Sequence, residues 1–212
     1  MRLRYIRGAE DAVATSLFVI HEPSSFRMEW KERLCHERPL CLEIGTGRGQ
    51  FLMQLAELHP ENYYVGIEKY ASVLVKALEK QAASGLENLC FLHMKAEAIT
   101  EVFGPGEVDR IYLNFSDPWP KVRHAKHRLT SDRFLARYAQ ILKQEGVVEL
   151  KTDNMGLYDF TLESLQAAGW TVLDQTRDLH HDPVRLAGNI LTEYELRFLR
   201  QNKPIGKIIF RQ

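Results

Sequence analysis

Cysteine is scarce, with three in 212 residues: Cys35, Cys41 and Cys90. An odd number without CxxC spacing supports neither a disulfide framework nor a cysteine-based zinc site, so all three read as packing residues. Long apolar runs are missing as well. Nothing approaches the roughly 18 residues that a membrane span needs, and the opening MRLRYIRGAED lacks the apolar stretch of a signal peptide. A cytoplasmic protein with no membrane partner is therefore expected. Net charge is absent, since Lys+Arg and Asp+Glu number 28 each, so no global argument for a nucleic-acid partner exists. Repeats and low-complexity tracts are also lacking. What remains, 45% apolar and 26% charged residues, is the balance of a soluble globular protein of one domain.

The charges are unevenly distributed. Residues 119–143 carry seven basic residues and one acid, and residues 196–212 carry five and none, while the stretch between them is strongly acidic. Lys121, Arg123, Lys126, Arg128, Arg133 and Arg137 in the first block, with Arg197, Arg200, Lys203, Lys207 and Arg211 in the second, could together line a phosphate-binding face.

From residue 40 onward, short apolar runs alternate with amphipathic ones: LCLEI, FLMQLAEL, YYVGIE, ASVLVKALEKQAA, LCFLHM, AITEVF, RIYLNF, TSDRFLARYAQILK, VVELKT, MGLYDFTLESLQAA and WTVLDQT. Turn chemistry marks the joints at 59–62, 84–85, 104–106 and 144–146, where Gly and Pro stop helices. This alternation predicts an α/β fold with a mostly parallel sheet, helices on both faces, and a ligand at the carboxyl ends of the strands. A helix from Thr192 to about Gln201 and a last strand, IGKIIF, close the chain. Residues 1–38 read as an irregular N-terminal extension with a possible RNA-contacting role, and 39–212 as the domain proper.

Leu42-Glu43-Ile44-Gly45-Thr46-Gly47-Arg48-Gly49 leaves the first strand and enters a helix. Glycines there let the backbone turn tightly and approach a ligand at the helix amino end. A dinucleotide fingerprint reads GxGxxG, whereas this loop reads GxGxG behind an acid, and a pyrophosphate gains nothing from Glu43. A cation does gain. S-adenosylmethionine carries an ammonium and a sulfonium and no phosphate, and Glu68, some twenty residues on, stands where an acid can accept both ribose hydroxyls. The run Asn114-Phe115-Ser116-Asp117-Pro118-Trp119-Pro120 leaves the fourth strand at the same edge. Two prolines stiffen it, holding Asp117 and Trp119 beside the cofactor, and a basic run follows at once.

Through EIGTGRGQF, GIEKY, IYLNFSDPWPKVRHAKHR, KTDN and TEYE, residues 40–200 resemble the bacterial tRNA (guanine-N7)-methyltransferases, class I enzymes of Rossmann-like fold with an antiparallel last strand. DPWP followed by a basic run differs from the DPPY-type motif of methyltransferases acting on exocyclic amines. The resemblance implies transfer of a methyl group from S-adenosylmethionine to N7 of the variable-loop guanosine, position 46, of tRNA. It implies cofactor contacts from Glu43, Gly45, Gly47, Gly49, Glu68 and Asp117. It also implies substrate contacts from Lys121, Asp153, Thr192 and Glu195, and RNA contacts from Arg123, His124, Lys126, His127 and Arg128. One position departs: many relatives have Asp before an Ala after the third strand, where this chain has Lys95-Ala96-Glu97. Lys95, Ala96 and Glu97 are the cofactor contacts expected at this position, with the adenine held by backbone groups near Ala96 or by Glu97.

Guanine N7 offers an in-plane lone pair, so methylation there needs no strong general base. It needs in-line orientation, and acceptors that favour the base as it becomes cationic. Asp117 and Asp153, at the ends of adjacent strands, are the candidates for flanking the base. Thr192 and Glu195 also have the spacing of a capping box. His180 and His181 have no Cys or carboxylate partner at metal spacing, so they are expected in a loop outside any metal site. The rival reading is an RNA-binding protein that has lost catalysis; a monomer and a homodimer are both compatible with the sequence.

Overall fold

The structure, a computed structural model, describes residues 5–212. The elements run in the order α1 (Ala9–Ala14), β1 (Leu40–Ile44), α2 (Gln50–Leu58), β2 (Tyr63–Glu68), α3 (Ala71–Ser84), β3 (Leu89–His93), α4 (Ile99–Val102) and β4 (Val108–Asn114). There follow α5 (Asp132–Ile141), β5 (Leu142–Thr152), α6 (Met155–Ala167), β6 (Thr171–Thr176), α7 (Pro183–Leu186), α8 (Glu193–Leu199) and β7 (Gly206–Arg211). The seven strands are ordered β3-β2-β1-β4-β5-β7-β6. The first five are parallel, and β7 runs antiparallel to both β5 and β6. The alternating apolar and amphipathic runs thus form the expected doubly wound sheet.

Strands β1 and β2 are buried at every position, as strands covered on both faces must be. In β4, β5 and β7 the period-two pattern decides the face. Ile111, Leu113, Val148, Leu150, Ile208 and Phe210 enter the core containing Phe134, Leu135, Tyr138 and Ile141 of α5. Tyr112 faces the opposite side, in the core with Phe51, Leu52 and Leu55 of α2 and Leu74, Ala77 and Leu78 of α3. Each such large side chain, fully buried, contributes roughly 1.5–3 kcal/mol. The chain reverses in order at β1–β4, so a crevice opens at their carboxyl ends.

Two expectations need correction. Residues 5–38 are more ordered than an irregular extension: α1 packs on α3, and Val19 adds a parallel bridge to Phe91 at the β3 edge, while residues 1–4 lie outside the described residues. Trp30 is fully buried, stacks on Phe103 at 4.9 Å and donates its indole N–H to the Val102 carbonyl at 3.0 Å. The buried Glu107 carboxylate accepts the backbone N–H groups of Met28 (2.9 Å), Trp30 (3.2 Å) and Gly104 (2.6 Å). Nothing local in either segment announces a partner 77 positions away. The 144–146 turn is the second case. β5 starts at Leu142, and residues 143–146 bulge between the Val108–Leu142 and Arg110–Val147 pairs, so pairing continues where a turn was expected.

Candidate active site

A cavity of about 400 Å³ lies at the carboxyl edge of β1, β2 and β4. Its floor is the glycine loop. Gly45 and Gly47 have φ of +81° and +60°, a backbone that L side chains rarely adopt, and both stand on the cavity wall. Gly45 N–H is held by the Ile67 carbonyl at 2.8 Å, and Gly47 N–H by Glu68 Oε2 at 3.1 Å. Gly49 has a different use. It caps α2, away from the wall, where a Cβ would stand 2.9 Å from the Ala77 methyl.

Four of the predicted acids separate by depth. Glu68 lines the cavity and accepts Tyr70 N–H through its other oxygen at 3.0 Å; burial pushes its carboxyl above the usual range, opposed by these backbone donors. Asp117 is exposed on the wall. Glu43 lies beneath the wall, buried, with one oxygen accepting from Thr46 Oγ1 and the other from Asn114 Nδ2, both at 2.8 Å. Burial lifts its pKa from 4.5 to about 7 despite those two donors. Asp153 follows the end of β5, off the wall. Ala96 and Glu97 line the cavity after β3, whereas Lys95 is exposed beside it.

The loop after β4 is held in an unusual backbone. Phe115 and Trp119 take φ of +51° and +42°, which cost of order 1–3 kcal/mol each in non-glycine residues and need external support. Phe115 N–H donates to the Lys151 carbonyl at 2.8 Å, and its ring stacks on Tyr194 and Phe198. Arg128 donates to the carbonyls of Pro118 (2.9 Å) and Trp119 (3.1 Å), and its guanidinium lies 4.2 Å from the Phe160 ring centroid. Arg128, expected on RNA, thus braces the loop from within through Nε and one Nη. His124 and His127 pack on Trp119, and His127 also reaches the wall. Lys121, Arg123 and Lys126 are exposed on the 3₁₀ turn Val122–His127 and its flank.

Thr192 and Glu195 form a complete capping box at the start of α8 and are buried. Tyr194, between them, is the half-exposed member that lines the cavity; an exposed aromatic beside a cap was the available signal for it. The second basic block divides. Arg197 on α8 and Arg200 at its C-cap are exposed, while Lys207 and Arg211 on β7 pair with Glu149 and Glu145. His180 and His181 lie on a short turn after β6, where His180 Nε2 is 3.2 Å from Glu195 Oε1, off the hydrogen-bonding direction, and His181 contacts Asp178 at 2.7 Å. Lys151, buried among them, opens the KTDN motif, yet the sequence alone assigns it no role. Among the described residues, no group of three or more His, Cys, Asp or Glu could hold a metal, and no helix is long and apolar enough to cross a membrane.

Two buried polar atoms of wall residues, Asn114 Oδ1 and Ser116 Oγ, find no hydrogen-bond partner among the described residues, leaving an acceptor and a hydroxyl for a polar ligand. With the left-handed glycines, Glu68 and Asp117, they form a donor set suited to a cationic nucleoside and offer no cluster for a phosphate.

Residues 37–208 match a family model described as "Putative methyltransferase". The chain is 50% identical to the tRNA (guanine-N(7)-)-methyltransferase of Lachnoclostridium phytofermentans over 99% of this chain and 97% of that protein. It is 46% identical to the protein of the same name in Geobacillus kaustophilus, over 97% and 94%. Among solved structures, the 16S rRNA methyltransferase KamB superposes with a TM-score of 0.63 at 20% identity, covering 84% of this chain and 90% of that one, which shows a shared fold.

Proposed function

The chain belongs to the tRNA (guanine-N7)-methyltransferase family, and from that premise we propose that it transfers the methyl group of S-adenosylmethionine to N7 of the variable-loop guanosine, position 46, of tRNA. The observation that carries this reading is the convergence of Gly45, Gly47, Glu68, Asp117, Trp119 and Tyr194 on one cavity at the β1–β4 reversal. Glu68 is suited to accept the ribose hydroxyls, and the backbone near Ala96 together with Glu97 to hold the adenine. Glu43 acts through Thr46 and Asn114, which it fixes. Bound there, S-adenosylmethionine supplies an electrophilic methyl on its sulfonium.

The residues then have to orient and exclude rather than abstract a proton, because N7 attacks through an existing lone pair. Asp117 and Asp153, at the ends of neighbouring β4 and β5, offer carboxylates to the N–H edge of a guanine that becomes more acidic as it gains positive charge. Trp119 and Tyr194 supply ring faces for an extruded base, whose unstacking costs a few kcal/mol. Phosphate contacts from Lys121, Arg123 and Lys126 offset that cost. Nothing in the pocket favours the non-catalytic alternative.

Incubation of the protein with labelled S-adenosylmethionine and unmodified tRNA transcript, followed by nucleoside analysis, tests cofactor, substrate and atom together. Labelled 7-methylguanosine at position 46 is expected. A different methylated nucleoside would overturn the substrate assignment, and no cofactor binding would overturn the enzyme reading.

A further inference from the structure

Lys151 is the one lysine among the largest fully buried side chains, at 1% exposure, and it belongs to none of the roles assigned above. An ammonium has three donors and no acceptor, so a buried one must find acceptors or lose its charge. Here all three acceptors come from one stretch of chain: Asn189 Oδ1 at 2.5 Å, the Ile190 carbonyl at 2.9 Å and Glu195 Oε2 at 3.4 Å. Asn189 also donates to Glu195 Oε1 at 2.6 Å, and Glu195 Oε2 accepts Thr192 N–H at 3.3 Å. Residues 187–192 have no helix or strand of their own. They are held to the sheet by this cluster, with the Lys151 ammonium at its centre, and by the Ile190 side chain packed against the α2–α3 core.

The same residue supports the opposite side of the cavity. Its backbone carbonyl accepts Phe115 N–H, and the Phe115 ring stacks on Tyr194 at 6.1 Å and 20°. Main chain and side chain of one residue thus fix the two partners of an aromatic stack on the cavity wall. We propose that Lys151 is a positioning residue, whose ammonium docks segment 189–195 on β5 and so sets Tyr194 for the incoming guanine. This rests on the methyltransferase reading of the cavity.

A buried ion pair can equally be a structural fixture, and removing one partner leaves the other charge unpaired. Two variants separate these roles. Lys151→Met should leave S-adenosylmethionine affinity within about twofold, while tRNA methylation falls by about 10²-fold, the penalty of a small misplacement near the reacting groups. Hydrogen exchange of amides 187–198 should rise, with β1–β4 unchanged. Lys151→Met/Glu195→Gln removes both charges and should recover thermal stability, yet remain about tenfold or more below wild type in kcat/KM for tRNA, because Asn189 and Ile190 still lack their anchor. Full activity in Lys151→Met would overturn the proposal. So would full recovery in the double variant, which would make Lys151 a mere counter-charge for Glu195, and so would unchanged exchange at 187–198. If the wild-type protein makes no 7-methylguanosine, the methyltransferase reading fails, and the exchange data still decide the docking.

Discussion

Replacing Glu43 by glutamine should stabilise the fold at pH 8 and leave it nearly unchanged at pH 4. The side chain is fully buried, and burial lifts its pKa from 4.5 to about 7 even though Asn114 and Thr46 donate to it and Lys151 lies nearby. A folded-state pKa above the unfolded value means that the folded chain holds its proton where the unfolded chain has lost it. The group's contribution is therefore fully present below about pH 4.5 and is lost as pH rises through about 7. A difference of that size, at about 1.4 kcal/mol per pH unit, amounts to about 3 kcal/mol. Glutamine cannot ionise, still accepts from Asn114, and lets the Thr46 hydroxyl rotate to accept instead of donate. Thermal unfolding of both proteins at pH 5 and pH 8 should show their difference in Tm widening by roughly 6–12 °C toward alkaline pH for a domain of this size. An ammonium-bearing cofactor on the adjacent wall favours the carboxylate, so wild-type affinity should rise from pH 6 to pH 8 while that of the variant stays flat. A Tm difference that is the same at both pH values would refute the assignment of a raised Glu43 pKa.

Asp153→Ala should abolish turnover, by at least about 10²-fold, and spare cofactor binding by calorimetry, because Asp153 stands off the cavity wall; full activity would remove it from the substrate site. Alanine at Lys121, Arg123 and Lys126 together should make the dependence of tRNA affinity on log salt shallower by about 2–3, as measured by filter binding. Arg128→Ala should leave that slope unchanged and lower kcat instead, since its guanidinium is occupied by the Pro118 and Trp119 carbonyls. Trp30→Ala should cost about 3–5 kcal/mol in denaturant unfolding, a loss that a loosely attached N-terminal segment would not show.

What the sequence made legible was local. Alternating apolar runs, the GxGxG turn and the proline-stiffened DPWP loop each carry their signal within a dozen residues, and the sheet and the cavity follow from them. The capping box at Thr192 and Glu195 was legible for the same reason, its two halves being three residues apart. What was not legible involves partners that sequence spacing does not connect. Trp30 meets Glu107 across 77 positions, Lys151 meets Glu195 across 44, and His180 faces Glu195 across fifteen. Charge counting fails in the same way. Of the seven cations in 119–143, Arg128 holds the Trp119 loop, Arg137 donates to the Glu97 carbonyl and Lys143 pairs with Asp109. A basic block therefore sets only an upper bound on phosphate contacts, and the bound tightens wherever backbone strain needs a brace. Arg128 shows why: a loop on the cavity wall with two left-handed non-glycine residues has carbonyls to satisfy, and the nearest guanidinium donates to two of them.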